Sequence, residues 1–148
     1  MDMNLRKNPT IYKLRLLIWP QIGLALFATI VAYLDLLPRE WLAWPYSDKV
    51  LHFLLFGLVA FWLRFWSPQT GAFWRRNLPV IVLWMYIVVE ECLQILSPYR
   101  SFDFVDMGCD LAGVLTFWTL GDKMLKKLQE SSHAPLRSRL DESPHHRY

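Results

Sequence analysis

The sequence is short of cysteine and has no closely spaced cysteine motif. Cys92 and Cys109 are the only two cysteines among 148 residues. Without a CxxC pair, a structural zinc site of the usual ligand spacing is excluded. A disulfide needs Cα atoms within about 7 Å of each other, and Cys92 points away from the helix face that carries Glu91. We therefore predict that both cysteines are free thiols.

Charged residues are nearly absent from four apolar stretches, although they make up 20% of the chain. They concentrate at the two ends and in the short gaps between the stretches. This segregation is typical of a membrane protein and separates it from a soluble protein of equal mean hydropathy. A net charge of +3 would suit nucleic-acid binding. The basic residues form no separate domain, however, so we expect the lipid bilayer as a partner and no nucleic acid.

The four stretches predict a fold class. They cover residues 16–34, 50–66, 78–96 and 104–120, and about 20 apolar residues suffice to cross a bilayer. The first is too long for a cleaved signal peptide and lacks an Ala-x-Ala-like site. We predict an all-α, polytopic membrane protein with a bundle of four transmembrane helices. Residues 1–15 form a cytoplasmic segment, 16–122 the membrane domain, and 123–148 a basic, largely disordered cytoplasmic tail.

Basic residues predict the orientation. In the four-span topology, thirteen of the 16 Lys and Arg residues fall on one side of the membrane. An excess of Lys and Arg marks the cytoplasmic side. Both termini are therefore predicted to be cytoplasmic. Arg64, near the end of the second stretch, is long enough to snorkel to the interface.

Polar residues inside the stretches mark a candidate site. An acid in a spanning helix costs about 2.5–3.5 kcal/mol on insertion scales, so it indicates function by default. At 1.5 Å per residue, the polar residues of three different spans lie at matching depth near the outer surface. They are His52 in the second span, Glu90, Glu91 and Gln94 in the third, and Asp106 and Asp110 in the fourth. We expect them to converge.

Helical spacing assigns the faces of these side chains. Residues three or four apart share a face, which groups Asp48 with His52, Glu91 with Gln94, and Asp106 with Asp110. Glu90 faces about 100° away from Glu91. Gly113 continues the Asp106–Asp110 face inward, where the missing side chain lets another helix approach closely.

A purely structural interpretation stays open. Asp48, Lys49, Arg100 and Asp103 are also suited to cap helix ends or to pair at a wet interface. Arg100 or Lys49 would equally hold Glu91 and Asp110 in an ion-pair network. For His52, a structural hydrogen bond and a chemical role are both consistent with the sequence.

The same residues resemble a known family, the VanZ-like small bacterial membrane proteins. The matching pieces are Asp48-Lys49-Val50-Leu51-His52-Phe53, Glu91-Cys92-Leu93-Gln94, Pro98-Tyr99-Arg100-Ser101, and Asp106 with Asp110 and Gly113. Their order follows the pattern D-K-x-x-H-F, E-x-x-Q, an arginine after a short turn, and D-x-x-x-N-x-x-G. Asp110 departs from it, since the family commonly has Asn there. The resemblance implies a multi-pass protein of the bacterial cytoplasmic (inner) membrane, in a family named for teicoplanin resistance and without an established reaction.

Two functions are compatible with these residues. In the first, the protein binds or processes an anionic, possibly lipid-linked envelope substrate. The candidate catalytic residues are Glu91 as general base, His52 and Asp106. The candidate substrate-binding residues are Arg100, Lys49, Gln94, Asp48, Asp110 and Ser101. Arginine suits phosphate or carboxylate because its planar fork makes paired hydrogen bonds.

In the second, the protein is a non-catalytic scaffold or a subunit of an envelope complex. A transmembrane proton relay is disfavoured, because acids are missing from the cytoplasmic halves of the spans. Asp106 and Asp110 would suit a divalent cation, but no complete ligand set can be identified. Catalysis, cofactors, bound metal and oligomeric state are left open by the sequence.

Overall fold

The computed structural model describes residues 9–34, 36, 44, 46–69, 71–96 and 103–141, with side chains as far as residue 131. These residues form helices and no strand. The helices are α1 (Pro9–Leu16), α2 (Ile18–Tyr33), α3 (Ser47–Trp66), α4 (Phe73–Gln94) and α5 (Phe104–Asp141). The predicted all-α fold class is confirmed.

Three helical stretches are long and apolar enough to cross a membrane. They are Pro9–Tyr33, Ser47–Trp66 and Phe73–Gln94. The first combines α1 and α2, which are separated only at Leu17. Pro20 lacks an N–H group and cannot bond the carbonyl four residues before it, which favours an irregularity at this point. The first turn of α5 carries Asp106. This helix is not among the three stretches, and with α1 and α2 counted as one unit it is the fourth helix of the bundle.

The closest helix pair is α3 with α5, and Gly113 makes this approach possible. A Cβ atom at Gly113 would collide with the backbone carbonyl oxygen of Phe53 and would lie 2.9 Å from its carbonyl carbon. The helices therefore touch backbone to backbone here, as the sequence predicts. A small residue at a membrane helix crossing permits such close contact.

Apolar packing holds α4 and α1 to this pair. One cluster joins α3, α4 and α5 through the buried side chains of Phe56, Leu83 and Val114, among others. A second joins α1, α3 and α5 through Ile11, Phe65 and Leu125. Burial of such side chains against one another and away from lipid gives each helix a defined inner face.

The C-terminal helix differs from the predicted span. The sequence predicts an end at residue 120 and a disordered segment over 123–148, whereas α5 continues to Asp141. Leu125 is almost fully buried against Ile11 and Phe65, and Lys126 forms an i,i+4 ion pair with Asp122. These contacts favour continuation of the helix. Residues 142–148 lie outside the described part of the chain.

Arg64 is placed inside the bundle and does not snorkel. Its side chain is nearly inaccessible, and its Nε and Nη2 atoms donate to Asp122 Oδ1 at 2.9 and 2.5 Å. The guanidinium also lies over the Trp118 ring at 5.3 Å. Asp122 on α5 therefore stabilises this charge inside the bundle. The hydropathy pattern alone does not reveal this partner.

Candidate functional site

Polar side chains from three helices meet at one end of the bundle. We call this set the acidic cluster. Its members are Asp48, Lys49 and His52 on α3, Glu90, Glu91 and Gln94 on α4, Asp103 just before α5, and Asp106 and Asp110 on α5. The structure thus brings together residues from three spans that the sequence places at matching depth.

Lys49 is the centre of the charged contacts. Its Nζ atom lies 2.8 Å from Asp106, 3.1 Å from Asp103 and 3.2 Å from Asp48. Asp106 lies in the first turn of α5 and Asp103 lies just before this helix, so Lys49 joins α3 to α5 across the site. Among the described contacts, Lys49 reaches neither Glu91 nor Asp110, in contrast to the ion-pair network considered from the sequence.

His52 pairs with Asp110, one turn deeper. Its Nδ1 atom lies 3.1 and 3.2 Å from the two carboxylate oxygens of Asp110, and Asp110 is fully buried. With an ionised carboxylate, Nδ1–H donates, so a neutral ring carries its lone pair on Nε2. A carboxylate that orients a histidine in this way defines which nitrogen can exchange protons.

Glu91 and Gln94 form the α4 side of the cluster, and both are buried. The Gln94 amide nitrogen donates to Glu91 Oε2 at 3.2 Å and to Glu90 Oε2 at 3.1 Å. Glu90 therefore belongs to the cluster, as its depth predicts, although it faces about 100° away from Glu91. The four-residue spacing between Glu90 and Gln94 is the sequence signal that identifies this contact.

Asp103 connects all three helices. Its backbone N–H donates to Glu91 Oε1 at 2.8 Å, and its Oδ1 accepts from the Val105 N–H at 2.7 Å. The hydrogen bond from Val105, together with that from Lys49, holds the pKa of Asp103 below its usual value. Asp103 thus acts as the N-cap of α5, and this local role agrees with the structural interpretation of its sequence position.

The cluster extends from an exposed rim to a buried floor. The side chains of Asp48 and Asp103 are 42% and 37% accessible, whereas Glu91 and Asp110 are inaccessible. The rim is therefore positioned to meet a polar group, and the floor is separated from bulk solvent. Charges at the floor interact more strongly because the surrounding dielectric is lower.

Two predicted site residues, Arg100 and Ser101, lie outside the described residues. The described part of the cluster contains six carboxyl groups and two basic side chains, Lys49 and His52. No group of three or more His, Cys, Asp or Glu residues in the described ranges is arranged to hold a metal ion.

Cys92 and Cys109 are both free, in agreement with the sequence prediction.

A family model described as VanZ/LLP1 matches residues 3–123. No curated protein and no solved structure matches the chain.

Proposed function

The chain belongs to the VanZ/LLP1 family, and from this premise we propose that its acidic cluster binds the polar headgroup of an anionic, lipid-linked envelope compound. In this proposal the protein lies in the bacterial cytoplasmic membrane, and its acidic cluster faces the outer side. Apolar helices that suit a bilayer present the cluster beside the lipid phase, where the headgroup of such a compound lies.

The convergence of buried acids carries this proposal. Glu91, Asp106 and Asp110 come from two helices and are all at least nine-tenths buried. Burying a charge is costly even when it is paired, and apolar residues of similar size usually pack at least as well. A bundle does not need this arrangement in order to fold, so its retention favours a role in recognition.

A sugar-phosphate headgroup presents two kinds of group to the cluster, sugar hydroxyls and a phosphate. Carboxylates accept hydrogen bonds, so the acids suit sugar hydroxyl groups. Lys49 is already held by three carboxylates, and we assign phosphate recognition to Arg100, whose fork suits that group. If the headgroup is also processed, His52 oriented by Asp110 is the candidate for proton transfer.

Arg100→Lys provides the functional test. Lysine keeps the charge but loses the paired hydrogen bonds of the guanidinium, and a hydrogen bond to a charged group contributes about 1.5–3 kcal/mol. We expect co-purified anionic lipid, measured by native mass spectrometry and lipidomics, to fall at least roughly tenfold. Glu91→Gln should lower it similarly. Arg75→Lys, at an exposed position near the other end of α4, should leave it unchanged.

Retention of the lipid by Arg100→Lys would contradict the anion-binding role. A scaffold role is the second candidate, because Lys49 with its acids and His52 with Asp110 satisfy one another within the chain. A scaffold predicts no lipid bound by the wild type and no change in envelope precursors when the gene is deleted. It also predicts that cluster variants disappear from the membrane.

Reporter fusions test the proposed orientation. The basic residues predict that fusions within residues 67–77 and at the C-terminus report cytoplasm, and that a fusion near Trp44 reports the outside. The measurement is the activity of paired reporters that work on opposite sides of the membrane. A C-terminus on the outer side would place the acidic cluster in the cytoplasm and would overturn the proposed substrate.

A further inference from the structure

The end of the bundle opposite the acidic cluster is strongly basic. In the four-span topology it carries thirteen of the 16 Lys and Arg residues and five of the 13 Asp and Glu residues. The count includes both terminal segments, so their placement does not change its sign. The two ends of the molecule therefore attract ligands of opposite charge.

The C-terminal part of α5 holds some of this positive charge on an anchored surface. Leu125 is 1% accessible and packs with Ile11 of α1 and Phe65 of α3, which fixes the helix against the bundle. Lys123 and Lys127 lie on either side of Leu125 along the chain, and both are exposed. A spacing of four residues places them on one helical face, with Cβ atoms about 5–6 Å apart. The anchored helix thus presents two ammonium groups side by side.

Lys126, which lies between these two lysines, has a different contact. Its Nζ atom lies 2.8 Å from Asp122, and the same carboxylate accepts hydrogen bonds from the buried Arg64 guanidinium. We therefore assign ligand recognition to Lys123 and Lys127. Like charges four residues apart on a helix repel each other, and an anion bound between them removes that repulsion.

Aromatic side chains place the two lysines at the level of the lipid headgroups. Trp19 and Trp66 are both exposed, and their rings meet edge to face with centroids 6.4 Å apart. Exposed tryptophans of a membrane protein concentrate at the boundary between acyl chains and water. Phe65, the neighbour of Trp66, packs with Leu125. The lysines that flank Leu125 therefore lie close to this boundary.

The same face of α5 continues into the bilayer without charge. Thr116 and Leu120 precede Lys123 and Lys127 at spacings of three or four residues, which keeps all four side chains on one face. All four are exposed. We call them the lysine face. It runs from an uncharged part beside the acyl chains to two ammonium groups at the membrane surface, and a phospholipid has the complementary arrangement.

We propose that the lysine face binds an anionic phospholipid, with the lipid phosphate between Lys123 and Lys127. Basic side chains next to a membrane span attract anionic headgroups. A zwitterionic headgroup brings its own cation to the phosphate and is attracted less. The site is independent of the proposed function, because it lies at the other end of the bundle and uses no residue of the acidic cluster.

Two phospholipids with the same acyl chains test this proposal. The probes are dioleoyl phosphatidylglycerol, which is anionic, and dioleoyl phosphatidylcholine, which is zwitterionic. Binding to the purified full chain in detergent is measured by native mass spectrometry. We expect the wild type to prefer the anionic lipid. The double variant Lys123→Gln, Lys127→Gln should bind it roughly thirtyfold more weakly, which corresponds to about 2 kcal/mol for two lysines near a membrane surface.

A second double variant provides the matched control. Arg75→Gln with Arg76→Gln removes the same charge from exposed positions of α4 at the same end of the bundle, and it should keep most of the preference. Glu91→Gln, which tests the proposed function, should also keep it. A photoactivatable phosphatidylglycerol then locates the lipid, and its crosslinks should fall within residues 116–127.

Three results would overturn the lysine face as a lipid site. The first is equal affinity of the wild type for the two phospholipids, a comparison that needs no variant. The second is an equal loss in the two double variants, because the net charge of this end would then determine binding. The third is displacement of the lipid by an equal concentration of soluble glycerol 3-phosphate, which would show that the acyl chains contribute nothing. Each of them leaves the proposed function intact, since Arg100→Lys tests that function at the other end.

Discussion

Gly113→Ala is expected to destabilise the protein and to separate α3 from α5. The new Cβ atom would overlap the Phe53 carbonyl group, which is backbone and cannot turn aside as a side chain can. Overpacking of this kind costs roughly 1–3 kcal/mol or more. We expect the midpoint of thermal unfolding in detergent to fall by several degrees. Gly113→Leu should prevent accumulation in the membrane.

The same substitution should disturb the acidic cluster. Phe53 follows His52 along α3, and Gly113 lies one turn beyond Asp110 on α5. Moving the helices apart therefore lengthens the contact between His52 and Asp110, and binding of the headgroup should weaken together with stability.

Gly108→Ala provides the matched control for this prediction. It lies on the same helix, with no atom within 4 Å of an added Cβ. Replacing a helical glycine without strain stabilises by about 0.4–1 kcal/mol through the unfolded chain. Equal effects of the two substitutions would show that helix propensity, and not the close crossing at Phe53, determines the result.

Lys49→Met is the second substitution with a large expected effect. It removes the cation that lies 2.8 Å from Asp106 while keeping most of the side-chain volume. Removing one partner of a buried pair costs about 3–5 kcal/mol, and we expect the lower end of this range, since Lys49 is 20% accessible. The free energy of unfolding, measured by denaturant titration in mixed micelles, should fall accordingly.

A second substitution and a control variant test whether the loss of stability in Lys49→Met comes from the unpaired charge of Asp106. Asp106→Asn in the Lys49→Met background should restore part of the lost stability, because it removes the buried charge that lost its partner. Lys126→Met breaks an i,i+4 pair at a side chain that is 66% accessible, and such pairs contribute less than about 1 kcal/mol. If Asp106→Asn fails to recover any stability, Lys49 has another role at the site.

Prediction from the sequence succeeded where local spacing sets the geometry. Lys49 and His52 of α3 meet Asp106 and Asp110 of α5. Each pair shares one helical face, and the two pairs lie at matching depth. Gly113 was identified because a glycine on such a face permits close packing. The rotation of Glu90 by about 100° from Glu91 predicts a smaller part in the site, but it does not carry a long side chain beyond the reach of Gln94, as their 3.1 Å contact shows.

The sequence by itself determined the membrane class, the helical fold and the end of the bundle at which the acids collect. These follow from runs of apolar residues and from the 3.6-residue period, both of which are local properties. Only the tertiary structure decided which charges are paired: Lys49 with Asp48, Asp103 and Asp106, His52 with Asp110, and Arg64 with Asp122. Partners on different helices depend on how each helix is rotated and how closely it crosses its neighbour, and this depends on packing across the whole bundle. Among the described residues, the same packing leaves the buried Oε1 atom of Gln94 without a hydrogen-bond donor.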